Sequence, residues 1–505
     1  MRRYRSLDFM LALMVTPGIV VFSGCSSPSV GDKKTESVSV APGGGKLPTT
    51  TASEEAKKEF VLGREKFEKL QAQDSLVHFD KAIAIDPGFA SAELARANAS
   101  PTTKEFFEHL NKAVALSNKS SEGERLLILA AEAGANGNVT KQKEYLDKLL
   151  AAHPNDERVN FAVGGYYFGQ QEYPKAIEHY KKATQVAPDY SPAYNIVGYA
   201  HRQTGDYASA EQAFKKYIEL IPNDPNPYDS YAELLLKMGK FDDSVVQYRK
   251  ARSIDPNFVN SHVGISSALV YTGKTADAVA ELQQITNKAR SDGDRRLALF
   301  GMAVAYADAG QLDKAVEMLD AEYSVAEKIN DVASMSADLQ AKGTILVEAG
   351  KFDDAKKAFD QSLKITTDSN QSQEIKDNAK LVHHFNLATV ALGKGDIATA
   401  KTESEEFRKG AEAKKNPAQI RQSHQLRGTI AMAEKNYDAA ISELGQAGTQ
   451  NPQNFYLLSQ AYRAKGDKQK AREFCQKAAE FNSLPQLNYA FVRAKAAKDL
   501  AAMKV

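Results

Sequence analysis

Four prolines, Pro154, Pro188, Pro222 and Pro256, stand 34 residues apart, and Gly205, Gly239 and Gly273 keep the same interval between them. A fixed period of this length marks an array in which each unit buries its apolar face only against its neighbours. The chain is therefore constrained to a stack of similar units. Within one unit, Tyr194, Val197, Gly198 and His201 fall at i, i+3, i+4 and i+7, which places them on one face of a helix. Gly205-Asp206-Tyr207 predicts a break, because glycine enters the left-handed region at little cost and aspartate caps the helix that follows. Ala210, Phe214, Tyr217 and Ile218 predict a second amphipathic helix, closed at Ile221-Pro222 because the residue before proline avoids helical geometry. Small residues recur where two helices must approach: Gly164, Gly198 and Ala232 in first helices, and Ala176, Ala210, Ser244 and Ala278 in second helices.

An aromatic and small residues in the first helix, Gly-Asp-Tyr at the turn, Ala and an aromatic in the second helix, and a closing Pro resemble the tetratricopeptide repeat. The match is close over residues 157–257. Beyond Gly273 the turn recurs as Gly310-Gln311-Leu312, Gly350-Lys351-Phe352, Gly395-Asp396-Ile397, Lys435-Asn436-Tyr437 and Gly466-Asp467-Lys468, each followed by an alanine five residues after its first residue. Those intervals of 37, 40, 45, 40 and 31 residues resemble elongated variants of the repeat. Residues 74–87 and 122–154 read as degenerate units, with 105–116 as a second helix between them. The resemblance implies an all-α, right-handed superhelical solenoid of about eleven to twelve antiparallel helix pairs. The expected organisation is degenerate units over 53–156, regular units over 157–290, elongated units over 291–484 and a C-terminal capping helix over 485–505. One continuous superhelix is expected, with bends allowed at Pro225 and Pro227 and over 287–294.

The N-terminus carries a second signal. Arg2, Arg3 and Arg5 precede an apolar run from Phe9 to Phe22, and Ser23-Gly24-Cys25 follows. This predicts a signal peptide over 1–24, too short for a spanning helix of about 20 residues. The small pair before Cys25 resembles the lipobox of bacterial lipoproteins, which implies a diacylglycerol thioether on Cys25. Ordinary cleavage with Cys25 left as a free thiol is the alternative. Residues 25–52, rich in Ser, Thr, Gly, Pro and Lys, are expected to form a disordered linker spanning roughly 30 Å. Ser26 is not the aspartate that resembles an inner-membrane retention signal. The expected location is therefore the cell envelope, on the outer membrane facing the periplasm.

With 65 basic and 64 acidic residues the chain has no overall basic character, so nucleic acid is not an expected partner. Cys475 is the only cysteine besides Cys25, so lipidation of Cys25 leaves no disulfide to form; it falls where Phe214 and Phe359 fall in their units and reads as a core thiol. No phosphate loop, His-Glu-x-x-His, Cys-x-x-Cys or Gly-x-Ser-x-Gly motif occurs. His383-His384 point about 100° apart on a helix and cannot chelate one metal as an i, i+4 pair could. Carboxylates such as Asp242-Asp243 sit at helix starts, where the dipole and free N–H groups account for them. No catalysis, cofactor or metal is expected.

Function should then be binding of protein or peptide partners. In the family that the repeats resemble, first helices line the groove. By that register the groove side would receive Arg158, Phe161 and Phe168, then Asn195, Tyr199 and Arg202, then Asn226, Asp229 and Glu233, then Asn260, Val263 and Tyr271. Asparagines can pair with a peptide backbone and aromatics offer rigid contact area; for Phe161, Phe168 and Tyr199 packing between helices is the competing role. The carboxylate clamp of chaperone-binding members is absent, since Phe161, Gly165, Ser230 and Val263 stand at its places. Two functions remain: a membrane-tethered interaction scaffold that serves assembly of an envelope machine such as a pilus, secretion or outer-membrane complex, or a receptor presenting a peptide or glycan to a partner transporter or enzyme.

Overall fold

The computed structural model describes residues 45–69 and 71–503. The expected signal peptide, Cys25 and the expected linker as far as residue 44 lie outside the described residues. Among the described residues there are 25 α-helices, one short 3₁₀ turn (Ser117–Lys119) and no strand. The chain divides into two compact units, the first running to Pro222 and including Asn370–Asp377, the second formed by Asn223–Ser369 and the chain from Asn378 onward.

Unit 1 holds five helix pairs: α1 (Glu54–Glu68) with α2 (Ala72–Ile85), α3 (Ala90–Asn98) with α4 (Thr103–Leu116), α5 (Glu122–Ala135) with α6 (Val139–Ala152), α7 (Glu157–Gly169) with α8 (Tyr173–Val186), and α9 (Ser191–Thr204) with α10 (Tyr207–Leu220). Unit 2 holds seven more, the first turn of α19 (to Asp377) excepted: α11 (Asn226–Lys237) with α12 (Phe241–Ile254), α13 (Val259–Tyr271) with α14 (Thr275–Lys288), α15 (Asp292–Asp308) with α16 (Leu312–Lys328), α17 (Val332–Glu348) with α18 (Phe352–Asp368), α19 (Gln373–Lys394) with α20 (Ile397–Ala413), α21 (Pro417–Ala433) with α22 (Tyr437–Leu444), and α23 (Pro452–Ala464) with α24 (Lys468–Ala479). A single helix, α25 (Leu487–Ala502), follows.

The pairs form as the pattern dictates. The turn glycine takes a left-handed conformation, Gly205 at φ 80°, and Asp206 then accepts the Ser209 N–H at 3.1 Å to cap α10. Lys435 occupies the same turn position at φ 60° without being glycine. The alanine five residues after each turn marker is fully or almost fully buried, from Ala315 to Ala471. Small first-helix residues receive aromatic rings. A Cβ on Gly164 would lie 2.6 Å from the Tyr180 ring, on Gly198 2.7 Å from Phe214, and on Gly343 2.4 Å from Phe359. Because interiors are close-packed, glycine there sets how near the two helices of a pair lie.

The division between the two units falls at Pro222/Asn223, beside Pro225 and Pro227 where a bend is allowed, whereas 287–294 carries no division. Two features depart from the sequence-based expectation. The expected linker ends early. Residues 45–52 form an extended strap on unit 1, because acidic groups at the starts of two first helices and in the turn before a third accept its backbone N–H groups. Leu47 N–H donates to Asp156 at 2.7 Å, Thr50 N–H to Glu124 at 3.0 Å and Ala52 N–H to Asp86 at 3.0 Å. Finally, α25 covers α24 as a capping helix should, but it also packs on α15 and α17, far back in the sequence.

Candidate functional site

In unit 1 the first helices bring together a charged and aromatic cluster. Arg158, near the start of α7, donates from Nε to Glu68 at 2.8 Å and from Nη1 to Glu157 at 2.5 Å. Glu68 ends α1, so this bond joins the first pair of the unit to the fourth. Lys46 of the strap pairs with Glu157. The Arg158 guanidinium lies 5.7 Å from the centre of the Tyr190 ring, and Phe161 meets that ring edge-on at 5.7 Å. Burial works against the charge of Arg158, but Glu68, Glu157 and Tyr190 outweigh it and hold the guanidinium protonated. Neighbouring Arg64 is shifted the other way by burial and by Arg158 itself. The cluster offers anchored positive charge beside an aromatic face.

The other positions of unit 1 are more deeply set. Phe168 is buried against Tyr173 at the start of α8, with ring centres 5.3 Å apart. Tyr199 is buried edge-on to Phe214 at 5.2 Å, and the Arg202 guanidinium lies 4.6 Å over the Tyr199 ring. Both aromatics thus bridge the helices of their own pair. Asn195 is buried, and its Oδ1 accepts no hydrogen bond among the described residues.

In unit 2, Asn226, Asp229, Glu233 and Asn260 are all buried. Asp229 accepts the Ser261 hydroxyl at 2.6 Å, which links α11 to α13, and Asn226 Nδ2 donates to Ser230 at 3.3 Å. Val263 belongs to the core formed with Leu282, Ile285 and Leu299. Tyr271 faces the C-terminal segment. It meets Tyr489 edge-on at 5.4 Å and donates its hydroxyl to the carbonyl of Ser483. The first-helix side of α13, α15 and α17 is therefore occupied by α25.

Other residues singled out from the sequence have ordinary structural roles. His384 meets Glu403 at 2.6 Å, whereas His383 is more buried and faces Asp360 at 3.2 Å. The same His-to-second-helix-Glu contact recurs as His262–Glu281 at 2.6 Å and His424–Glu443 at 2.7 Å, so it clasps pairs together. Cys475 is buried against the carbonyl of Ala496 at 3.2 Å, and burial pushes its thiol pKa up.

Family profiles agree with the geometry. A tetratricopeptide-repeat profile matches residues 129–192 and 164–225, a tetratricopeptide repeat-like domain profile matches 261–382, and a third tetratricopeptide-repeat profile matches 452–483. The chain belongs to the tetratricopeptide-repeat family. Among solved structures the repeat protein is similar to yeast Tom70, at 15% identity and TM-score 0.45, over 77% of this chain and 93% of that one. It is also similar to a tetratricopeptide-repeat protein of Parabacteroides merdae, at 15% identity and TM-score 0.36, over 56% and 98%. A thermophilic repeat protein of Thermus thermophilus aligns at 21% identity and TM-score 0.29, over 42% and 98%. No curated protein matches the sequence. The repeats matched by these profiles support a protein–protein interaction scaffold, and the matching profiles are those of repeats rather than of an enzyme family.

The sequence pattern pointed to Arg158 but not to its partner Glu68, to neighbouring Arg64 or to Lys46, which pairs with Glu157; these lie about ninety or more positions away and show no local signal. It also missed α25 as an occupant of unit 2. A visible signal existed there, since Leu487, Ala490 and Phe491 form one apolar stripe and Val492, Ala496 and Leu500 form another on the opposite side.

Proposed function

We propose that this repeat protein is a membrane-tethered interaction scaffold of the bacterial cell envelope, capturing segments of partner proteins along its first helices. The observation that carries the reading is the use the chain makes of those helices itself. In unit 1 an extended strap is held through backbone N–H bonds to Asp156, Glu124 and Asp86, and in unit 2 a helix is held through apolar contacts and ion pairs. Surfaces that accept both forms of chain suit capture of partner segments. The Arg158–Tyr190 cluster and the Arg202–Tyr199 pair, each a cation over an aromatic ring, are the contacts assigned to partners in unit 1. Lipid on Cys25 would supply the tether, with residues 26–44 as its reach, on the outer membrane facing the periplasm; the partners would belong to an assembling envelope machine.

Membrane fractionation tests the tether. Cys25→Ala should move the protein from the detergent-dependent to the soluble fraction, and an unchanged distribution would refute the anchor. The receptor function, presentation of a peptide or glycan to a transporter or enzyme, would instead appear as stabilisation by a small ligand, about 2.7 kcal/mol at a hundredfold excess over Kd.

A further inference from the structure

Helix α25 has two opposed apolar faces. One of them, with Ala496 at its centre and Leu500 and Met503 beside it, covers Cys475 and Ala478 of α24 and so caps the array. The other is not needed for capping. Leu487, Ala490 and Phe491 enter a core with Ala303, Val304 and Ala307 of α15 and Ile345 of α17. Polar contacts fix this second face in register. Arg493 donates from Nε to Asp308 at 2.7 Å and from Nη2 at 2.5 Å, a two-pronged pair in which the carboxylate is only 4% exposed, and Lys495 donates to Glu348 at 2.5 Å. Lys237 of α11 binds the carbonyl of Phe481, just ahead of the helix. The fit leaves a pocket of only about 10 Å³ between Ser266, Tyr271, Asp308 and Tyr489.

We propose that the first-helix side of α13, α15 and α17 is a docking site for an amphipathic helix, and that α25 occupies it in cis as a clasp which a partner helix displaces. This rests on the scaffold reading and names its partner class: a helix with large apolar residues at i and i+4, a small one at i+3, and basic residues at i+6 and i+8. That is the pattern Leu487, Phe491, Ala490, Arg493 and Lys495 present. The apolar strip on α15 and α17 selects the first three, and Asp308 and Glu348, one turn or more away, select the basic pair. The capping contacts of Ala496 with Cys475 and Ala478 lie on the opposite side of α25 from Leu487, Ala490 and Phe491, while Tyr489 touches both Tyr271 and the Ala479 carbonyl. The effective concentration of a tethered helix makes the clasp a strong competitor, so affinity in trans depends on how firmly the groove face is held.

The test measures binding of a fluorescent synthetic peptide, residues 484–503, to the full-length chain and to its Phe491→Ala/Arg493→Ala variant, by anisotropy. A peptide carrying Phe491→Asp serves as the control. The expected result is binding at least tenfold tighter to the variant than to the unaltered chain, and none of the control peptide. Equal affinity for both chains, or no binding to a variant that keeps its helical circular dichroism, overturns the proposal. Should the double variant not fold, Lys495→Ala, an exposed position, takes its place, with a smaller gain of about threefold expected and no gain overturning it. A dimer of the unaltered chain formed by exchange of α25 would also overturn it, since the occupant would then be a second copy. Failure to capture any envelope partner would count against the scaffold reading without altering the peptide result.

Discussion

Two adjacent glycines of α7 give opposite expectations for one substitution. Replacing glycine by alanine inside a helix is worth about 1 kcal/mol, from reduced freedom of the unfolded chain and better helix propensity. At Gly165 the added methyl would lie 3.8 Å from the Tyr180 hydroxyl, an ordinary contact, so Gly165→Ala should stabilise by about 0.5–1 kcal/mol. At Gly164 the same methyl would lie 2.6, 2.7 and 3.0 Å from three atoms of the Tyr180 ring. That ring is buried between α7 and α8 and also packs on Phe161 at 5.6 Å, so it cannot swing away. Overpacking of this kind costs about 1–3 kcal/mol, which offsets the propensity gain and leaves Gly164→Ala between neutral and about 2 kcal/mol destabilising. The assay is native-state hydrogen exchange of the α7 and α8 amides, which reads local opening free energy and does not require the whole array to unfold in one step. If the two variants shift protection equally and in the same direction, the close approach at Gly164 is wrong, and with it the register of the repeats.

Phe214→Ala should cost roughly 3–5 kcal/mol as a large deletion from a sealed site, read by urea unfolding; a loss below about 1 kcal/mol would place the ring outside the core. Lys435→Gly should stabilise by up to about 1 kcal/mol, since a non-glycine residue at φ 60° is strained, and the thermal midpoint checks it. The buried cluster of Arg296, Glu322 and Asp338 sets a pH dependence. Arg296 donates both prongs to Asp338 at 2.6 and 2.8 Å and lies 3.1 Å from Glu322, yet burial raises the pKa of Glu322 and, less strongly, of Asp338. A carboxyl group whose pKa is higher folded than unfolded holds a proton that the unfolded chain has released. Its stabilising contribution is complete below the ordinary carboxylate range and is lost as pH rises through the folded value. Unfolding free energy should therefore fall with pH above that range, and Glu322→Gln should flatten the slope; an unchanged slope in the variant removes Glu322 as its source.

Much of the fold was legible because it is local. The 34-residue interval, the left-handed turn, and an alanine opposite an aromatic are each decided within one helix pair, which is why the sequence alone places Gly205, Ala210 and Phe214. The groove assignments were less legible because a helix in a stack has more than two environments. Phe168 and Tyr199 lie on first helices, but their rings reach the second helix of the same pair, and Asn195, expected toward a partner, is buried. What the sequence did not show depends on contacts between distant segments. Glu68 meets Arg158 across 90 positions and Asp308 meets Arg493 across 185, so no periodicity links them. The strap at 45–52 was hidden for a related reason: its composition reads as linker, and order comes from carboxylates that belong to α5, α7 and the turn before α3.

The most direct test of capture along the first helices is site-specific photo-cross-linking of the full-length protein in intact cells. A photoreactive residue would replace Arg202 on the first helix α9 or, as a comparison, the exposed Val77 on the second helix α2, which is 67% exposed. The account expects a defined protein adduct from position 202 and none from position 77. An adduct from position 77 with none from position 202 would contradict it.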